Sequence, residues 1–416
     1  MANEQVTFYR DVLPVLQNRC QGCHRPGEAG PMPLLTYKEV RPFAKAIRQT
    51  VQSGKMPPWF AGEGGLHFRN DARLTAAEIA TLTAWVDKGA VEGNRRDAPP
   101  ERRWPSGWSG QEPDLVVELP KGYEIPKSGT VEYTYFILPS GLKEDTWIQG
   151  AEFRPGIPAM THHATMFVRP PGSKWLREYP AGEYFVPKEQ LARATAPRPA
   201  ATTNAGAGRE NEGVVGYVPG GGPLQLRDGQ ALLIPAGSDF VFQFHYITNG
   251  QGGVDRSKVG LVLAKEPVRT RLYSVTIGSD SFAIPPGDPN HVVKATRTLP
   301  TDAELRAFTP HMHLRGKSME VSVTYPDGKK ELLLTVPRYD FNWQLEYQLA
   351  QPKILPKGSR LEVTAAFDNS PNNRFNPDPT ATVRWGDQSA EEMMVCFVTF
   401  AVDPRTEPWR LQRRTD

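Results

Sequence analysis

The stretch Phe240-Val241-Phe242-Gln243-Phe244-His245 places three phenylalanines on alternate positions. Successive side chains of a strand point to opposite faces, so the three rings share one face and His245 falls on the other, with Val241 and Gln243. The same period of two runs through Val131, Tyr133, Tyr135 and Ile137 and through Val321, Val323 and Tyr325, while Met393–Phe400 is apolar on both faces. Turn signals such as Thr248-Asn249-Gly250 and Pro326-Asp327-Gly328 separate these runs, in a chain with 37 glycines and 40 prolines. Short strands between such turns predict packed β-sandwiches rather than a helical or βαβ fold. About 300 residues is long for one sandwich, which predicts two, at 114–268 and 269–416. The small-residue segment 195–223 reads as a long surface loop within the first.

Residues 1–93 have a different period. Tyr9, Val12, Leu13 and Leu16 recur at helical spacing, as do Val40, Phe43, Ala44 and Ile47. Thr75-Ala76-Ala77-Glu78 is a capping-box pattern opening a third helix, with Ile79, Leu82 and Val86 inward and Gly89 as its stop. Three short helices enclose a thin core, which a large cofactor would fill. Residues 94–113, charged and rich in proline and glycine without a period, read as a linker. The chain of 416 residues carries 49 lysines and arginines against 46 acids, a net charge of +3, which predicts no nucleic-acid partner. No stretch has the roughly 18 consecutive apolar residues of a spanning helix, so no membrane span is expected.

Only three cysteines are present, too few for a disulfide framework. Two of them lie in Cys20-Gln21-Gly22-Cys23-His24. Thiols at i and i+3 can add to the two vinyl groups of one porphyrin edge while the next histidine reaches the iron. The competing readings are a redox dithiol, which lacks its βαβ context, and a zinc site completed by His67. A second axial ligand is expected from Met56, in Lys55-Met56-Pro57-Pro58-Trp59, with Met32 as its rival. Cys396 reads as a small buried hydrophobe.

Six of the eight histidines fall into a pattern: the adjacent pair His162-His163, His245, and His311-Met312-His313. Two residues apart on a strand, His311 and His313 project to one face and can share a metal. His162 and His163 can share one only at a bulge or strand end, which Pro158 makes reasonable, and His245 can join them. Imidazoles without carboxylates or thiolates suit copper or zinc, and a thioether among the ligands tilts the choice to copper. His67 and His291 read as surface residues.

Thr161-His162-His163, Phe244-His245-Tyr246, Pro310-His311-Met312-His313-Leu314-Arg315-Gly316-Lys317 and Glu391-Glu392-Met393 together resemble the copper type II, ascorbate-dependent monooxygenases. This is the family of the peptidylglycine α-hydroxylating and dopamine β-monooxygenases, and the chain looks most like its bacterial members with an N-terminal cytochrome c domain. The resemblance spans about residues 112–404. It implies two jelly-roll-like sandwiches, each with one copper, facing each other across a solvent-filled cleft. By the same resemblance His162, His163 and His245 hold the electron-storing copper, and His311, His313 and Met393 hold the oxygen-binding, catalytic copper. Met394 is the rival of Met393. The chain has Thr309, Val395 and Phe397 where the peptide hydroxylases carry an arginine, an asparagine and a tyrosine for a peptide carboxylate. Alternation puts Met393, Val395 and Phe397 on one face, so an apolar substrate pocket is expected.

The implied activity is hydroxylation of a C–H bond of a small hydrophobic substrate by O2. It requires two copper ions, one covalent haem c, and an external reductant such as ascorbate or an electron-donor protein. The haem on the same chain is expected to relay electrons. The alternative is a non-enzymatic haem and copper electron-transfer or copper-binding protein. Covalent haem attachment predicts a periplasmic or otherwise extracytoplasmic protein, and Met1-Ala2-Asn3-Glu4 reads as a mature start without its export signal.

Overall fold

The computed structural model describes residues 5–104, 107–188 and 212–406. The mature-start reading at residues 1–4 and the part of the expected loop at 195–211 lie outside them. The chain divides into two compact units. One holds the described residues up to Trp59, with Asp71–Ser109 and Ile157–Met160; the other holds Phe60–Asn70, Gly110–Gly156 and the described residues from Thr161.

The first unit is helical, with a one-turn π segment at Phe8–Val12 running into α1 (Leu13–Arg19), then α2 (Tyr37–Val40), α3 (Ala44–Gln52) and α4 (Ala76–Asp87). The capping box at Thr75 forms: Glu78 N–H donates to the Thr75 hydroxyl and Thr75 N–H to the Glu78 carboxylate. A second box, Thr36 with Glu39, starts α2. Burial follows the expected faces at Val12, Leu16, Val40, Ala44, Ile47 and Leu82. Other positions differ: Tyr9, Ile79 and Val86, expected inward, are only part-buried. Phe43 is exposed, because its turn is a 3-10 segment that rotates it off the α3 face, and Trp85 fills the centre of the core beside Phe8.

The second unit is β throughout. A nine-stranded sheet runs continuously from Leu115–Glu118 to Tyr347–Leu355, facing a five-stranded sheet in its first half and a four-stranded sheet in its second. The five-stranded sheet is ordered Tyr184–Phe185, Thr134–Pro139, Asp239–Tyr246, Thr161–Arg169, Glu212–Tyr217. Phe240, Phe242 and Phe244 are buried as the alternation requires, with Phe153 of the large sheet set edge-on against Phe242 and Phe244. Each such ring contributes about 1.5–3 kcal/mol on burial. At the expected boundary near 268–272 the large sheet continues, through a parallel pairing of Gln230 and Ala231 with Thr270 and Arg271.

Two segments depart from the sequence reading. Glu212–Tyr217, placed in the expected surface loop, is a strand against Thr161–Arg169, with Val214 and Val215 buried. Its glycines had hidden the alternation. Phe60–Asn70, expected in the haem module, packs with the β unit as an arm. Gly62 and Leu66 N–H donate to the carbonyls of Thr335 and Leu333, and Arg69 N–H to that of Gln348. The strands Lys330–Val336 and Tyr347–Leu355 end their respective sheets, so the arm supplies partners to two edges that would otherwise be open.

Candidate metal centres

His162 and His163 begin the strand Thr161–Arg169, just after the 3-10 turn Pro158–Met160. Its register against Asp239–Tyr246 pairs His245 with His163 and Tyr246 with Thr161, leaving His162 as the extra residue of a bulge. This is the irregularity that lets adjacent histidines meet. At the far end of the same pair, the Arg169 guanidinium donates to the Asp239 carboxylate at 2.8 Å and fixes the register.

The three imidazoles converge through Nδ1. The His162 Nδ1 lies 3.3 Å from that of His245 and 3.2 Å from that of His163. One ligand atom from each lies within 4.8 Å of the others, and all three residues are buried. Burial pushes the imidazoles toward their neutral form: His162 down to about 4 and His245 to about 3, aided by neighbouring imidazoles, and His163 well below its usual value. Three uncharged, inward-facing nitrogen donors without a carboxylate are the donor set of a borderline metal ion. The Tyr133 ring stacks on His245 at 4.6 Å and closes one side, with its hydroxyl buried and without a hydrogen-bond partner.

The second set is built differently. His311 ends the strand Ala303–His311, and His313 lies past it in a turn, so the expectation of both on one strand face is corrected. The rings still meet, 5.2 Å apart and perpendicular. Each Nδ1–H is engaged from behind: His311 donates to Gln344 Oε1 at 2.6 Å, and His313 to the Glu391 carbonyl at 3.1 Å. This fixes the tautomer that presents Nε2 as donor, and His313 Nε2 is buried without a partner. The turn is clamped by Glu392, fully buried, whose two carboxylate oxygens accept the His313 and Arg315 N–H groups at 2.8 and 2.6 Å. Burial raises the Glu392 carboxyl to about 8. Gly316 is required here, since a Cβ would meet the Met312 Cβ at 2.7 Å and the Tyr339 ring at 2.8 Å.

Met393 is half-buried immediately before the strand Met394–Val402, while its rival Met394 is buried within the strand. His311 pairs with Val395 and Thr309 with Phe397, so Val395 and Phe397 share the His311 side of the sheet. The Phe397 ring lies 6.4 Å from that of His311. Met393 itself lies outside the paired strand, two residues before Val395.

The two sets adjoin. The His163 and His311 rings are 6.5 Å apart, edge to face, where the resemblance implied a solvent-filled cleft. Phe341 lies beside both sets, 4.9 Å from His162 and 6.1 Å from His313. Phe341, Gln344, Tyr133 and Tyr339 were not singled out by the sequence reading. Of these, only Tyr133 carried a signal, its alternation.

In the helical unit, Cys20 and Cys23 occupy one turn after α1, and His24 N–H closes on the Cys20 carbonyl at 2.9 Å. Burial raises the Cys20 thiol to about 12 and the Cys23 thiol likewise upward. His24 Nδ1 donates to the Met32 carbonyl at 3.1 Å, which leaves the ring's lone pair on Nε2. Gly30 packs so closely that a Cβ would meet His24 Nδ1 at 2.8 Å. Met32 packs on the helical core; Met56 is half-buried on the loop after α3, its N–H on the Thr50 carbonyl. His67 is exposed, as expected. His291, expected at the surface, is half-buried, its Nδ1 3.3 Å from the Asp288 carboxylate.

No family model and no curated protein matches the chain. Among solved structures, PNGF-II is similar at 10% identity and TM-score 0.30, over 70% of this chain and 66% of that one, just under two thirds of its length. The infectious bursal disease virus VP2 subviral particle gives 12% identity and TM-score 0.20 over 74% and 77% of the two chains. The mavirus major capsid protein gives 8% and 0.19 over 74% and 92%. At these values the likenesses define no family.

Proposed function

We propose that the chain is a copper-dependent monooxygenase that hydroxylates a C–H bond of a small hydrophobic substrate. The observation that carries this reading is the pairing of two adjoining nitrogen sites: three buried neutral imidazoles converging through Nδ1, and two imidazoles held from behind on Nδ1. His162, His163 and His245 would hold one copper, and His311, His313 and Met393 the other. Copper, when bound, would supply the one-electron chemistry that O2 activation requires.

The chain's own part follows from its residues. Burial keeps His162, His163, His245 and His313 neutral and so able to donate. Gln344 and the Glu391 carbonyl hold the rings of the second site in orientation. Val395 and Phe397 supply an apolar wall beside His311, which favours a substrate without charge and disfavours a peptide carboxylate. Converting RH and O2 to ROH and water takes two electrons and two protons, from ascorbate or a redox protein.

Cys20, Cys23 and His24 would hold a covalent haem c, which when bound would supply one-electron redox chemistry on the same chain. The His24 Nδ1 is engaged by the Met32 main-chain carbonyl, and Met56, on the loop after α3, would be the thioether offered to the haem iron alongside His24. Such a protein belongs in an extracytoplasmic compartment, where covalent haem is assembled.

The test is metal and haem analysis followed by anaerobic reduction and exposure to 18O2 with a panel of hydrophobic substrates. The expected result is two coppers and one haem per chain, with one labelled oxygen in a product. Both coppers loaded and no label in any product would refute the assignment.

A further inference from the structure

One loop, residues 337–346 between the strands Lys330–Val336 and Tyr347–Leu355, reaches both histidine sets. The Tyr339 hydroxyl donates to the Met312 carbonyl at 2.8 Å and accepts the Met312 N–H at 3.1 Å, gripping the residue between His311 and His313. Phe341 packs on His162 and His313. Gln344 is buried, and its Oε1 accepts a hydrogen bond from His311 Nδ1 at 2.6 Å. The arm holds the strand that leads into the loop and the loop's last residue: Gly62 N–H donates to the Thr335 carbonyl at 2.8 Å, and the Asn70 side-chain amide to the Glu346 carbonyl at 2.7 Å. Its geometry is therefore set from outside the metal site.

Two histidines of the second set are held by different kinds of acceptor. His313 has a main-chain carbonyl, which no substitution removes. His311 has the Gln344 amide oxygen, an acceptor only, so the ring carries its proton on Nδ1 and its lone pair on Nε2. A short hydrogen bond donated from Nδ1 makes Nε2 a stronger donor and fixes the ring plane.

We propose that Gln344 is the positioning residue of the second site, setting through His311 how tightly and how electron-richly that site holds its metal. The proposal rests on the copper reading above. It is tested on the full-length holoprotein with Q344L, nearly the same size but without an acceptor, and Q344E, which keeps one.

Three quantities are measured: copper per chain, Cu(I) affinity of the second site by chelator competition, and the stretching frequency of carbon monoxide bound to reduced copper. Q344L is expected to weaken the second site about 10- to 100-fold and to move the CO band to higher wavenumber, as a poorer donor would. Q344E is expected to restore the affinity and move the band the other way. A purely packing role for Gln344 would leave the band in place.

Wild-type affinity and an unshifted band in Q344L would overturn the proposal while leaving the two-copper reading intact. If the wild-type protein itself takes up fewer than two coppers, both fall together. Should Q344L fail to fold, an unshifted band in Q344E overturns the proposal by itself.

Discussion

The two histidine sets solve the same problem in opposite ways. The first is made by two neighbouring strands alone: a bulge brings His162 and His163 together, the register brings His245 opposite, and Arg169–Asp239 locks that register from the far end. The second needs three separate pieces of chain. His311 and His313 come from a strand end and a turn, Glu392 clamps that turn, and Gln344 and Tyr339 arrive from a loop pinned by the arm. A site built from one sheet is fixed once the sheet forms. One assembled from a turn and a loop can leave a coordination position open, at the cost of depending on distant residues.

The largest effect should follow from removing a second-set donor. H313A is expected to lose one copper per chain and to lower hydroxylation far beyond the ~10- to 100-fold of an outer-shell change. The first site should keep its copper and its electron paramagnetic resonance signal. Loss of both signals would mean the two sets are one cooperative unit, and the contrast between them would be broken.

Glu392 comes next. E392A leaves the His313 and Arg315 N–H groups buried without acceptors, and an unmet buried donor costs about 1–3 kcal/mol. The denaturation midpoint should therefore fall markedly, with copper released from the second site first. An unchanged midpoint would show that the turn does not need its clamp. Smaller again is F397A, which removes apolar surface beside His311. It should raise KM for a hydrophobic substrate about tenfold with less change in kcat, as expected for lost uniform binding. A fall in kcat alone would place Phe397 outside the substrate wall.

The same contrast explains what the sequence made legible. The first set could be read because strand period is local: alternation at Phe240, Phe242 and Phe244 fixes the face of His245, and two adjacent histidines demand a bulge. The capping box at Thr75 was legible for the same reason. The second set was legible only in its His-x-His pair. Gln344, Phe341 and Tyr339 lie in a loop without periodicity, about 30 residues from His311, and nothing local ties them to it. The arm Phe60–Asn70 was assigned to its neighbours in sequence because only sheet edges formed elsewhere in the chain give it partners. Glu212–Tyr217 was lost among glycines, and His313 was placed on a strand that in fact ends two residues earlier.

A different kind of effect, read as a pH slope in stability with no change in activity, is expected where the two halves of the large sheet join. Glu212, on the strand beside His163, accepts from Arg271 at 2.6 Å, and Arg271 lies where the sheet crosses from one half to the other. Burial outweighs the arginine and raises the Glu212 carboxyl from 4.5 to about 7. Between those values the folded protein holds a proton that the unfolded chain has released, so unfolding releases protons and stability falls as pH rises. The contribution is complete below about 4.5 and has gone above about 7. E212Q, which cannot titrate, should lack this slope, so the stability of the wild type should fall steadily relative to that of E212Q across that window in urea titrations. Parallel profiles would mean that Arg271 keeps Glu212 ionised throughout. The joint would then be a charged clamp insensitive to pH, and the halves would be held as firmly as the first histidine set is held by Arg169 and Asp239.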